Sequence, residues 1–150
     1  MTPFVTAGGA FLFTILYADL MFDVQALGHT ARELPEDVLG SIAGYYGRVT
    51  ISARPLNRLV VVVMVGTLAA IAVQIAQDDT SDWVGWTSLV LAASPILLAA
   101  VRTFPSAVRL GQRADAPDVQ SRLARSILHD HLFCLLAITS LLAVQLAFAR

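Results

Sequence analysis

Residues 17–29 read YADLMFDVQALGH and close the first apolar run of the chain with Asp19, Asp23, Gln25 and His29. Asp19 and Asp23 are four residues apart, so on a helix they lie on one face, a turn apart. Carboxylates in that position can hold a proton, bind a cation or lock onto an arginine. An ionised side chain at the centre of a bilayer costs roughly 2.5–3.5 kcal/mol on insertion scales, and such groups pair with one another or face a cavity. The chain supplies several groups to meet them. Arg102 ends a third apolar run, Arg54 and Arg58 begin the second, and His129, Asp130 and His131 begin the fourth. The candidate proton- or ligand-binding set is therefore Asp19, Asp23, Arg58, Arg102, His129 and His131.

The string His129-Asp130-His131 also invites a metal, since imidazole and carboxylate suit several divalent ions. Helix geometry limits that reading, because residues two apart point about 200° apart and two such histidines do not share an ion on a regular helix. The candidate metal set is Asp19, Asp23 and His131, with His129 turned to head groups or solvent. The competing reading is structural. Asp19 or Asp23 paired with Arg102 or Arg58 would hold helices together without chemistry, because a buried carboxylate needs a partner and polar contacts help membrane helices associate.

The elements that must position these groups are membrane helices. The 150 residues are 57% hydrophobic and 14% charged, with a mean hydropathy of +0.70, above that of an ordinary soluble domain. Four segments, about 4–27, 56–77, 83–101 and 127–148, are long and apolar enough to cross a hydrocarbon core, which takes about 20 helical residues. The expected fold is an all-α, single-domain bundle of four transmembrane helices. The first segment lacks a positively charged n-region and reads as a retained helix rather than a cleaved signal peptide. Trp83 and Trp86 mark an interface at the start of the third span, and Pro95 is expected to kink it.

Every basic residue is an arginine. Arg32, Arg48, Arg54 and Arg58 sit between or beside the first two spans, and Arg102, Arg109, Arg113, Arg122 and Arg125 between the last two. The other side offers the acidic turn QDDTSDW and Arg150. Positive charge near helix ends is retained in the cytoplasm, so both termini are expected outside it, in a plasma or inner membrane. Within the first loop, Pro35, Glu36 and Asp37 form a helix-start signal, and Leu39, Ile42, Tyr46 and Val49 recur at helical spacing. That predicts an amphipathic helix on the inner membrane surface, with Tyr45, Tyr46 and Arg48 among head groups. Pro117-Asp118 repeats the start signal and predicts a fourth helix that projects beyond the bilayer.

Other chemistry is not supported. One cysteine, Cys134, rules out an internal disulfide relay. No continuous basic face suits nucleic acid. Phosphate-loop, hydrolase-elbow and zincin motifs are absent, and no transmembrane histidine pair suggests haem. In length and span count the chain resembles small four-helix membrane families, among them the glutathione-dependent membrane enzymes and the anthrone-oxygenase-like proteins. No motif of either is matched, and no activity is carried over.

Three functions remain. In the first, the cluster binds a proton, cation or small polar ligand at Asp19, with Asp23 tuning it, and transport is one use of such a site. In the second, a membrane-embedded enzyme acts on a lipid or hydrophobic molecule, with Asp19 or His131 as general base and Arg102 holding an anion. In the third, the protein is an assembly subunit. Beyond the lipid bilayer, the expected partners are a small molecule or ion and further copies of the chain, as a dimer or trimer, because four helices alone leave little room for an aqueous path.

Overall fold

The computed structural model describes residues 1–52 and 54–149. Ala53, Arg150 and the side chain of Arg54, one of the arginines expected around the cluster, lie outside the described residues. All regular structure among the described residues is helical. Helix α1 runs Thr2–Asp23 and ends in a 3-10 turn, Val24–Ala26. Helix α2 is Glu36–Tyr46, followed by a π-helical segment, Gly47–Ser52. Helix α3 is Arg54–Ala76 and α4 is Asp82–Leu98. A second π-helical segment, Ala99–Thr103, joins α4 to α5, Phe104–Gln112. Helix α6 is Pro117–Phe148.

Four stretches are long and apolar enough to cross a membrane: Thr2–Ala26, Pro55–Ala76, Asp82–Gln112 and Pro117–Phe148. The third departs from the sequence expectation, because the helix does not stop near Val101 but continues through Arg102 to Gln112. Hydropathy falls at Arg102, yet hydrogen bonding survives the change by widening into π geometry just ahead of Pro105, whose missing N–H then falls in the first turn of α5. Helix α6 has 32 residues, about 48 Å at 1.5 Å per residue, well beyond the roughly 30 Å of a hydrocarbon core.

The long helices form a four-sided bundle. Helix α6 packs along α1 and α4, and α3 closes the square against the same two neighbours. One core, built on Val5, Leu12, Ile71, Ala92, Ile138 and Leu141, fills its centre. Near the chain termini a polar clasp joins α3, α4 and α6. The amides of Gln74 and Gln145 exchange hydrogen bonds at 3.2 and 3.3 Å, and Gln145 also donates to Ser88 Oγ at 2.7 Å. All three residues are buried, so each polar atom needs such a partner.

The opposite end is closed by α2 and α5. Leu39, Ile42 and Tyr46 of α2 pack with Leu110 of α5 and Ile127 of α6 in a second core. The apolar face of α2 thus buries against protein rather than on the membrane surface that its amphipathic pattern predicts. The turn before α2 is pinned by Arg125, which donates to the carbonyls of His29, Ala31 and Arg32 at 3.2, 2.6 and 3.0 Å. The π-helical segment after α2 meets α5 where two glycines cross. A Cβ added at Gly111 would stand 2.7 Å from Gly47 N and 2.9 Å from the carbonyl carbon of Tyr46. That contact fixes where Tyr45 and Tyr46 enter the bundle.

Candidate functional site

Tyr45 and Tyr46, consecutive at the C-terminal end of α2, reach two aspartates on α1. The Tyr45 hydroxyl donates to Asp19 Oδ1 at 2.6 Å, and the Tyr46 hydroxyl donates to Asp23 Oδ1 at 2.7 Å. One helical turn separates the two carboxylates, about the 5.3 Å that separates the Tyr45 and Tyr46 ring centroids. Tyr45 is stacked on Phe22, with ring centroids 4.1 Å apart and planes 10° from parallel. Burial, reinforced by the facing carboxylates, pushes both phenols far above their ordinary range, so they remain neutral donors.

His131 of α6 completes the cluster. Its Nδ1 lies 2.6 Å from Asp23 Oδ2 and 3.4 Å from the Tyr46 hydroxyl. Asp23 is fully buried, and both its oxygens are engaged. A proton on Nδ1 serves that carboxylate best, an assignment made from the hydrogen-bond network. The other nitrogen, Nε2, lies 3.9 Å from Asp19 Oδ2. Neither of those two atoms makes a hydrogen bond among the described residues.

Asp19 and His131 form part of the wall of a cavity of about 240 Å³. Its other walls are largely apolar, including Leu12, Leu16, Val60, Met64, Ile96 and Ile138. Both π-helical segments contribute, through Val49 and Thr50 on one side and Ala99 and Thr103 on the other. Such segments widen a helix locally and recur at functional sites. The cavity lies under the first half of α3, where no residue from Pro55 to Gly66 is buried. Among the described side chains of α3, the first buried one is Thr67.

The other sequence candidates fall outside this cluster. Arg102 pairs with Asp130 Oδ1 at 3.2 Å and donates to Ser126 Oγ at 2.8 Å. Asp130 also accepts from Thr103 Oγ1 at 3.1 Å. This places Arg102 with Asp130 rather than with Asp19 or Asp23, because Asp130 and His131 are successive on α6 and point about 100° apart. His129 is exposed, as is Arg58, and neither joins the carboxylates.

Among the described residues no group of three His, Cys, Asp or Glu side chains is arranged to hold a metal ion. The geometry explains why Asp19, Asp23 and His131 do not converge as a metal set. Each carboxylate addresses a different imidazole nitrogen, and the two ring nitrogens point apart.

The sequence sets Tyr45 and Tyr46 among head groups, because helical spacing marks the α2 face that carries Tyr46 without saying what buries it, and leaves Tyr45 off that face. A signal existed: two neighbouring phenols one loop away from two aspartates a turn apart.

No protein-family model matches this chain, and neither a curated protein nor a solved structure does.

Proposed function

We propose that this chain is an integral membrane protein that takes up a proton or a small ligand onto Asp19 from a cavity within the bilayer. In this reading all four long helices cross the membrane, the α2–α5 end faces the cytoplasm, and both termini lie outside. The belt of exposed apolar side chains supports insertion, with Val62, Leu97 and Leu136 each more than 60% exposed. The segregation of arginines supports the orientation.

The observation that carries the reading is the open oxygen of Asp19. Its Oδ1 is held by Tyr45, while Oδ2 makes no hydrogen bond among the described residues and the side chain lines a largely apolar cavity. Asp23 is already saturated and serves to hold His131. Among the described residues no arginine forms an ion pair with either aspartate, so the arginine lock imagined for an assembly subunit lacks support. The use of such a site is carriage of the proton or ligand across the bilayer. A catalytic reading has one specific support. An imidazole held through Nδ1 by a buried carboxylate, with Nε2 toward a cavity, is the arrangement of a general base for a hydrophobic substrate.

The test compares proton or ligand uptake and detergent unfolding in wild type, Asp19→Asn, Asp23→Asn and the double variant. Uptake lost in Asp19→Asn at nearly wild-type stability is the expected result. Unchanged uptake in that variant refutes the reading.

A further inference from the structure

Two unsatisfied acceptors define what the cavity would hold. His131 is only 8% exposed and lines the cavity, yet its Nε2 makes no hydrogen bond among the described residues. With Nδ1 protonated toward Asp23, the neutral ring presents a lone pair at Nε2. Asp19 Oδ2, 3.9 Å away, is the second acceptor. A single nitrogen bearing two or more N–H groups spans such a gap, donating to both. A hydroxyl has one proton and serves one of them at a time.

Formal charge selects the same group. With both carboxylates ionised, the Asp19–Asp23–His131 cluster carries a charge of −2 when His131 is neutral and −1 when it is protonated. A cation offsets the −2 of the neutral-imidazole state, the one in which Nε2 accepts, and a neutral alcohol does not. Size and wall chemistry define the rest of the ligand. An apolar cavity of about 150 Å³ holds benzene, so 240 Å³ suits an apolar body with about ten non-hydrogen atoms in all. We infer that the cavity binds a small hydrophobic ammonium ion, a primary or secondary amine whose N–H groups bridge Asp19 Oδ2 and His131 Nε2 while its apolar body rests among Leu16, Val60, Met64 and Ile138. This rests on the uptake reading above and names its ligand class.

Phenethylamine and 2-phenylethanol have nearly the same shape and differ in the head group. Their binding to the protein in lipid nanodiscs near neutral pH is measured by titration calorimetry, with empty nanodiscs subtracted. The amine should bind more tightly by on the order of tenfold, since charge-assisted hydrogen bonds are about twice as strong as neutral ones. The preference should vanish in Asp19→Asn. Equal binding of the two compounds, or an amine preference that survives in Asp19→Asn, overturns the inference. Should Asp19→Asn not fold, Ala99→Phe keeps the carboxylate and fills the cavity from the π-helical segment. Amine binding should then be lost, and retained binding overturns the inference. If neither compound binds wild type, the ammonium assignment falls. Proton uptake that still depends on Asp19 would in that case leave the uptake reading standing, and its absence would sink both.

Discussion

Removing the Tyr46 hydroxyl measures how much the buried cluster relies on an ionised Asp23. Tyr46→Phe keeps a ring that is 2% exposed and deletes the donor to Asp23 Oδ1 together with a weak 3.4 Å approach to His131 Nδ1. A hydrogen bond to a charged group contributes about 1.5–3 kcal/mol, whereas neutral interhelical bonds in a bilayer average about 0.6. The two cases are therefore separable. The measurement is reversible detergent unfolding of wild type, Tyr46→Phe, Asp23→Ala and the double variant. Asp23→Ala also strands His131 Nδ1, a cost common to both variants carrying it that cancels in the cycle apart from the weak 3.4 Å approach of the Tyr46 hydroxyl to that nitrogen. Tyr46→Phe should cost about 1.5–3 kcal/mol in the wild-type background, a roughly 10- to 140-fold change in the unfolding constant. In the Asp23→Ala background it should cost within about 0.5 kcal/mol of nothing. A coupling at or below about 0.6 kcal/mol would refute the argument that an ionised Asp23 organises this end of the bundle.

The glycine crossing gives a second expectation. Gly111→Ala places a methyl group against the backbone of Gly47 and Tyr46 and should destabilise by about 1–3 kcal/mol, while Gly66→Ala, with nothing within 4 Å of the added carbon, should be neutral or stabilising by up to about 1 kcal/mol; equal unfolding midpoints would show that α2 and α5 do not meet there. Topology supplies a third. A single cysteine placed in the 29–52 segment, in a Cys134→Ser background, should react with an impermeant thiol reagent only from the cytoplasmic side and one at position 80 only from outside, and the reverse pattern would invert the proposed orientation.

The long helices were legible because apolar run length alone suffices to mark them. The helix start at Pro35 was also legible from Glu36 and Asp37, which complement the dipole of α2. Its partner was not, since an amphipathic stripe buries equally well against lipid or protein. Only the folded chain decides that Leu39, Ile42 and Tyr46 face α5 and α6. The pairing of Arg102 was misread for a related reason. Sequence placed Arg102, Asp130 and His131 at one depth, but depth does not give azimuth. The one-residue step from Asp130 to His131 turns one toward Arg102 and the other toward Asp23. Asp19 and Asp23 were found as a pair by their spacing, while their division of labour depends on side-chain depth. Asp23 is sealed and saturated, whereas Asp19 opens on the cavity.

That division is the central claim, and hydrophobic carbodiimide labelling tests it most directly. The reagent adds to a protonated carboxyl group and rearranges to a stable N-acylurea, so it marks a carboxylate that is reachable through an apolar space and exchanges a proton there. Mass spectrometry of the labelled protein in lipid should place the adduct on Asp19, leave Asp23 unmodified and show protection by phenethylamine. An unlabelled Asp19, or labelling of Asp23 to the same extent, would contradict the account.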